Sequence, residues 1–148
     1  GLPADDVHEL GLGGMLHDVG KSIIPEEIIN KKGSLTEDEF EVIKKHTSAG
    51  EKILGEMGCF GARVIQIVGE HHEKYNGEGY HRHLAGEEIS LFGRICKITD
   101  VYDALTTRRT YKKALKTIEA LTLMKSRMKD EFDPKLINSF IRMLGPKM

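Results

Sequence analysis

The sequence predicts an all-α fold. Apolar residues recur at spacings of three or four along most of the 148 residues, which is the period of helices that bury one face. The chain contains no internal repeat, no low-complexity tract and no linker rich in proline or serine. A single domain of this length buries roughly 68–70% of the surface that its unfolded chain exposes, so it needs no disulfide framework to fold.

The first predicted helix can be capped by Asp5 or Asp6 and ends near His17. Three glycines lie within it: Gly11, Gly13 and Gly14. A glycine in a helix interior costs about 1 kcal/mol relative to alanine, so three together predict a close approach to another helix.

The next helix has the clearest start signal in the chain. Thr36 and Glu39 form a capping-box pair, apolar and small residues then follow at helical spacing as far as Met57, and Gly58 ends the helix. A further helix is predicted over about 60–73, with His71 and His72 on its buried face near the C-terminal end.

The second half predicts one loop and three more helices. Periodicity stops in the segment KYNGEGYHRHLAGEE, whose three glycines and Asn-Gly pair indicate a loop with a tight turn. A helix then begins at about Ser90 and carries Asp100 among apolar neighbours. Two amphipathic helices over 117–131 and 134–144 complete the all-α fold, and the Gly145-Pro146 pair ends the last of them.

Composition excludes several classes of protein. The 22 basic and 23 acidic residues balance, so no nucleic-acid polymer or anionic membrane is expected as a partner. No apolar run approaches the roughly 18 residues of a membrane helix, and the first residues lack the features of a signal peptide. The two cysteines, Cys59 and Cys96, form no C-x-x-C pair, which is typical of a reducing compartment. We therefore expect a cytoplasmic protein.

Histidine and aspartate pairs predict a metal site. His17-Asp18 lies at the end of one helix, His71-His72 lies at the end of another, and Asp100 lies in the middle of a third. Neutral imidazole and carboxylate are ligands that suit iron, manganese, zinc or nickel. A structural role is the commoner explanation for each residue alone, but a buried carboxylate without a partner is costly and the pattern repeats. Together these residues favour a transition-metal site between helices.

Three long motifs resemble the HD-GYP family of metal-dependent phosphohydrolases. The segment MLHDVGKSIIPEEIINKKGSLTEDEFEVIKKHTSAG is similar to the family's opening block, which contains the HD-x-GK motif. HHEKYNGEGYHRHLAGEEIS resembles its HHE-x-x-x-G-x-GYP block, and RICKITDVYDALTTRRTYKKA resembles its D-x-x-DALT-x-x-R-x-YK block. The resemblance runs in unbroken order from about Leu10 to Ala114. It implies an HD-domain helical bundle that hydrolyses cyclic di-GMP to linear pGpG or GMP.

The resemblance also implies roles for individual residues. The metal ligands would be His17, Asp18, His46, His71, His72 and Asp100. Asp18 would bridge two ions, within a cofactor set of two or three divalent ions, iron or manganese. The substrate would be a cyclic dinucleotide, bound through Lys21, Tyr80, Arg109 and Lys112. Lys21 and Asp18 would be the catalytic residues, and Asp103 would orient a ligand imidazole from outside the coordination sphere.

The chain departs from the family pattern in two places. His81 stands where the motif has proline, which would stiffen the loop, so we expect this departure to affect the shape of the loop more than the metals. The family's preceding helix, which supplies a further histidine, would lie before Gly1. We therefore expect residues 1–148 to form a single domain that lacks the family's first helix or helices. Either the chain is an excerpt of a longer protein that also has a sensory or regulatory domain, or its metal site lacks one ligand.

Two alternatives stay open, and the departures support the first of them. The first is a signalling or interaction module that retains the fold without catalysis. The second is an HD hydrolase of another nucleotide, such as a different cyclic dinucleotide or a nucleoside monophosphate. Metal content separates the first alternative from an enzyme, and a product assay on cyclic di-GMP separates the second.

Overall fold

The computed structural model describes residues 1–108 and 113–145, and all regular structure within these ranges is helical. The α-helices are α1 (Ala4–Leu16), α2 (Glu26–Ile29), α3 (Glu37–Met57), α4 (Ala62–Glu70), α5 (Leu91–Thr106), α6 (Thr117–Arg127) and α7 (Pro134–Leu144). Short 3₁₀ turns cover Val19–Ile23, Gly86–Glu88 and Lys129–Glu131. The predicted all-α fold is confirmed.

Helix α3 has the ends that its sequence predicts. Thr36 Oγ1 accepts a hydrogen bond from the backbone N–H of Glu39 at 3.2 Å, and the Glu39 carboxylate accepts one from the backbone N–H of Thr36 at 2.7 Å. Gly58 ends the helix in the left-handed conformation, with φ of 67°. This well-capped helix is the longest described, and it supports both the 3₁₀ turn after α1 and helix α4.

Helix α1 differs from the prediction at its start and in its packing. It begins at Ala4 after Pro3, so Asp5 and Asp6 lie in the first turn, where they complement the helix dipole instead of capping the helix. Of the three glycines in this helix, Gly13 makes the close contact, because an added Cβ would lie 2.3 Å from Cδ1 of Ile67 in α4. The other two glycines face open space.

Two predicted helices end earlier than expected. Helix α4 stops at Glu70, and the Glu70 carboxylate accepts a hydrogen bond at 2.8 Å from the backbone N–H of Ser90, at the start of α5. Helix α6 stops at Arg127, because Met128 leaves the helical region with φ of −116°. The early end of α4 places both following histidines in a turn that faces α1 and α3.

The apolar core has three adjoining parts. Leu54, Val64 and Val68 pack between α1, α3 and α4, and Ile67, Phe92 and Cys96 join α4 to α5. The third part fills the space between α5, α6 and α7, with these buried residues: Ile98, Leu105, Ala120, Met124, Phe132 and Ile137. This packing brings the C-terminal ends of α1 and α4 next to the middle of α5. None of the described helices is long and apolar enough to cross a membrane.

Candidate metal centre

Three parts of the chain bring four potential metal ligands together. Asp18 follows α1, His46 lies in α3, and His71 and His72 follow α4. Each of these residues offers one ligand atom, and the four atoms lie within 4.8 Å of one another. His46 and His71 are almost completely inaccessible to solvent, with 1% and 0% of their surface exposed. The sequence motifs are therefore adjacent in space.

Hydrogen bonds fix which nitrogen of two imidazoles carries the proton. His46 Nδ1 lies 2.7 Å from the carbonyl oxygen of Ile43, and His71 Nδ1 lies 2.9 Å from that of Val68. A carbonyl oxygen can only accept, so each Nδ1 must donate. Burial lowers the pKa of both residues, that of His71 to about 4, so both rings are neutral at neutral pH. Both Nε2 atoms therefore present bare lone pairs.

These lone pairs converge on an unpartnered carboxylate oxygen. The Nε2 atoms of His46 and His71 lie 3.2 Å apart, and Asp18 Oδ1 lies 3.4 Å from the first and 4.0 Å from the second. Asp18 Oδ1 is buried and has no hydrogen-bond partner among the residues that the structure describes. Three acceptors facing one point without a donor would repel one another, whereas a divalent cation would satisfy all of them. The donor set thus fits a metal ion.

The second oxygen of Asp18 faces a different group of side chains. Asp18 Oδ2 lies 2.7 Å from Lys21 Nζ and 3.4 Å from His17 Nε2. His17 Nε2 also lies 3.5 Å from Asp100 Oδ1, while its Nδ1 bonds to the carbonyl of Gly14 at 2.6 Å. Asp18 Oδ1 therefore faces one half of the predicted ligand set, which contains His46 and His71. Asp18 Oδ2 faces the other half, which contains His17 and, beside it, Asp100. This arrangement is compatible with a bridging carboxylate, and the ligand roles stay predictions.

The charges of His17 and Asp100 depend on each other. A hydrogen bond with Asp100 raises the pKa of His17. Burial would raise the pKa of Asp100, but the hydrogen bond and the charge of His17 outweigh burial and lower this pKa to about 2. The carboxylate is therefore ionised at neutral pH. His17 stays a predicted ligand, and a cation bound at its Nε2 would take the place of the proton there, since metal binding and protonation compete for the same nitrogen.

Tyr80 lies against the cluster through its ring. Its centroid is 4.8 Å from that of His72 with an interplanar angle of 21°, so the two rings are stacked. Burial raises the pKa of the Tyr80 phenol, which therefore stays protonated and able to donate a hydrogen bond. Burial also lowers the pKa of His72 to about 2, so this imidazole is neutral as well.

His81 binds its loop to α3, a role that sequence reasoning missed. Its Nδ1 lies 3.1 Å from Thr47 Oγ1 and its Nε2 lies 3.2 Å from a carboxylate oxygen of Glu51. Arg82 pairs with the same Glu51 carboxylate. Side-chain contacts therefore fix the loop at the position where the family motif has proline. The sequence showed the missing proline but gave no sign of these partners.

Glu73 is a second residue whose role sequence reasoning did not assign. It is 1% exposed, and its two carboxylate oxygens accept hydrogen bonds from the backbone N–H groups of Arg82 at 2.7 Å and Leu84 at 3.1 Å. The carboxylate thus closes the loop that holds Tyr80 against His72. Its place as the third residue of the HHE motif was the one available signal.

Replacing Glu73 by Gln should lower the free energy of unfolding by roughly 1.5–3 kcal/mol, the usual scale for hydrogen bonds to a charged group. The amide would retain one acceptor and turn its NH₂ group toward a backbone donor. Urea unfolding is the measurement, and Glu87→Gln is the matched control, because Glu87 is exposed in the same loop. Equal stability of the two variants would contradict the loop-closing role.

Among the described residues, one further predicted site residue, Asp103, does not join the cluster. Asp103 is exposed, and its Oδ1 accepts a hydrogen bond from Thr107 Oγ1 at 3.0 Å. The Nδ1 atoms of His17, His46 and His71 all bond to backbone carbonyls, so orientation of an imidazole by Asp103 stays a prediction. Arg109 and Lys112 lie outside the described residues.

The fold and the cluster define the class of this protein, an all-helical bundle with a buried histidine and aspartate ligand set between its helices. A family model described as HD domain matches residues 1–136, and the chain belongs to this family. Phosphohydrolases of the family use divalent metal ions, which agrees with the donor set found here. The HD-GYP resemblance in the sequence is confirmed.

Relatives with similar sequences include named phosphodiesterases. A Pseudomonas aeruginosa protein named cyclic di-GMP phosphodiesterase is 40% identical over 97% of this chain and 34% of its own length. A Vibrio cholerae protein named 3′3′-cGAMP-specific phosphodiesterase 3 is 36% identical over 82% of this chain and 26% of its own length. The chain therefore spans about a third of the length of such relatives.

A solved structure has the same fold. It is a Bdellovibrio bacteriovorus protein described as an HDG"Y"P protein, and it matches with a TM-score of 0.77 and 22% identity. The match covers 96% of this chain and 45% of that protein. This likeness supports the helical architecture described above.

Proposed function

We propose that this chain forms the catalytic domain of a metal-dependent phosphodiesterase that opens cyclic di-GMP to linear pGpG and releases GMP. The observation that carries the proposal is the convergence of His46 Nε2, His71 Nε2 and Asp18 Oδ1 on one point, with no donor for them among the described residues. A cavity of about 330 Å³ lies beside this point, and Asp18, His72 and Asp100 are among the residues that line it. The cavity gives a phosphodiester access to the cluster.

We propose iron or manganese as the cofactor, and the donor set is compatible with either ion. The predicted ligands offer only imidazole nitrogen and carboxylate oxygen, a mixture that suits these ions, and we propose that two or three of them bind. When bound, divalent ions polarise phosphoryl oxygens and lower the pKa of water. The two oxygens of Asp18 face different halves of the ligand set, which supports a site with more than one ion.

Lys21 is positioned to neutralise charge on the reacting phosphate. Its ammonium group lies 2.7 Å from Asp18 Oδ2 and lines the cavity beside the cluster. Negative charge grows on the non-bridging oxygens as a phosphodiester is attacked, and a fixed cation at that place stabilises the transition state. The protonated phenol of Tyr80 adds a hydrogen-bond donor near His72. We propose that Arg109 and Lys112 bind substrate phosphates or a base, as the family resemblance implies.

A different cyclic dinucleotide is the second candidate substrate. The relative named for 3′3′-cGAMP is 36% identical to this chain, and the two dinucleotides share the same ring of sugars and phosphates and differ in one base. The alternative without catalysis loses part of its support, because the contacts of His81 with Thr47 and Glu51 hold the loop in the absence of proline.

We further propose that the domain acts in the cytoplasm, joined in its parent chain to a regulatory domain. The relatives are about three times as long as the segment that matches this chain, which leaves room for such a domain. Neither Cys59 nor Cys96 forms a disulfide, which supports a reducing compartment.

The test of the proposed function is a product assay on the purified chain. The protein is reconstituted with Mn²⁺ or Fe²⁺ and incubated separately with cyclic di-GMP and 3′3′-cGAMP, and the products are separated by chromatography. We expect cyclic di-GMP to yield pGpG first and GMP afterwards, with no turnover after chelation of the metal. A metal-loaded protein that leaves both dinucleotides intact would refute the proposal, and exclusive turnover of 3′3′-cGAMP would replace the substrate.

A further inference from the structure

A buried lysine lies in the wall of the catalytic cavity, where the mechanism above gives it no role. Lys97 lies in α5 and is 7% exposed. The residues that line the same cavity of about 330 Å³ include two predicted metal ligands of the cluster, Asp18 and His72, and also Lys21. A buried ammonium group is costly to desolvate unless it is paired, so the placement of Lys97 needs an explanation.

The charge of Lys97 is only partly balanced. Among residues 1–108 and 113–145, the one carboxylate oxygen within 4.0 Å of Lys97 Nζ is Glu131 Oε2, at 3.7 Å. The other oxygen of Glu131 accepts a hydrogen bond from Lys74 Nζ at 3.1 Å. One carboxylate therefore serves two ammonium groups, and positive charge remains at this end of the cavity. Burial lowers the pKa of Lys97, which reflects the same incomplete compensation.

Lys97 lies beside the cluster of predicted ligands and outside it. It precedes Asp100 by three residues in the same helix, which is about 4.5 Å along the helix axis. Lys21, in contrast, is bound to the cluster itself through Asp18. A phosphate that reacts at the cluster would meet Lys21, and a second phosphate further along the cavity would meet Lys97. A cyclic dinucleotide carries two such phosphates on one ring.

We propose that Lys97 binds the phosphate of the cyclic dinucleotide that is not being cleaved, and that it thereby favours substrates with two phosphates over diesters with one. This proposal rests on the proposed function, because it assigns a second anionic group to the substrate of the same site. Lys97 binds the ground state and the transition state equally, so its removal affects KM and leaves kcat nearly unchanged.

The test compares two substrates that differ in the number of phosphates. Lys97→Met keeps most of the side-chain volume without the charge, Lys97→Arg keeps the charge, and Lys129→Met is the control because Lys129 is exposed. The substrates are cyclic di-GMP and bis(p-nitrophenyl) phosphate, which has one phosphate. We expect Lys97→Met to raise KM for cyclic di-GMP about 10- to 100-fold, the scale of one charge-assisted hydrogen bond, and to change kcat/KM for the single-phosphate diester less than about twofold.

In Lys97→Arg, KM for cyclic di-GMP should stay within about fivefold of the wild-type value, because the guanidinium also binds phosphate. The proposal would be overturned if Lys97→Met lost kcat/KM equally on both substrates, or lost none on either. If Lys97→Met does not fold, Lys97→Gln is judged by the same criteria.

If the wild type hydrolyses the single-phosphate diester but not cyclic di-GMP, the proposed function fails. Lys97 is then tested by inhibition of diester hydrolysis with cyclic di-GMP, and an unchanged inhibition constant in Lys97→Met would overturn its role.

Discussion

Replacing Asp18 by Ala is expected to remove most of the bound metal and to abolish phosphodiester hydrolysis. The two oxygens of this carboxylate face different partners, with Oδ1 near His46 and His71 and Oδ2 near His17. Its oxygens thus lie within 4.0 Å of ring nitrogens in both halves of the predicted ligand set. Loss of Asp18 should therefore empty the site, whereas loss of a single histidine leaves the remaining ligands in contact with one another.

The matched control is Asp103→Ala, which removes an aspartate from the neighbouring part of α5. Asp103 is exposed and accepts its hydrogen bond from Thr107, so metal content should stay close to that of the wild type. Elemental analysis of protein purified without chelator measures the metal, and steady-state kinetics on cyclic di-GMP measure the activity. Asp18→Asn keeps the shape of the side chain without its charge and should lose metal as well. Equal metal losses in the Asp18 and Asp103 variants would show that the ligand assignment is wrong.

The sequence predicts most helix ends that depend on local signals. Thr36 and Glu39 form the capping box that their spacing implies, and α7 covers the predicted range, with Asp133 accepting hydrogen bonds from the first backbone N–H groups. The end of α4 at Glu70 was not predicted, and neither was the hydrogen bond of its carboxylate to the backbone N–H of Ser90, 20 residues away in sequence. Periodicity in one segment contains no information about such a partner.

The candidate site likewise contains some residues that the sequence could predict and others that only the fold reveals. Motif resemblance could indicate that His46, His71 and Asp18 belong together, because their residue types and order are characteristic of the family. The role of Glu73 and the partners of His81 depend on which backbone groups and side chains the fold places nearby. Lys97 looked like an ordinary helical lysine in the sequence, and only its burial beside Glu131 distinguishes it.

The glycine of the HD-x-GK motif links the stability of the fold to the geometry of the site. Gly20 lies in the 3₁₀ turn that packs on α3. A Cβ atom at this position would lie 1.8 Å from the backbone oxygen of His46 and 2.6 Å from the backbone nitrogen of Gly50. Both neighbours are backbone atoms of a capped helix, so they cannot rotate away as a side chain could. The turn itself would have to move, and Asp18 and Lys21 would move with it.

Gly20→Ala should therefore lower the free energy of unfolding by roughly 3 kcal/mol or more, at the upper end for overpacking, and should also reduce metal content. Gly55→Ala is the matched control, because Gly55 lies within α3 and an added Cβ would have open space around it. That variant should gain about 0.5–1 kcal/mol from helix propensity. Urea unfolding of the metal-free proteins separates packing from metal binding, since a bound ion adds its own stabilisation. A metal-free Gly20→Ala protein as stable as the wild type would show that the turn does not pack on α3 as described.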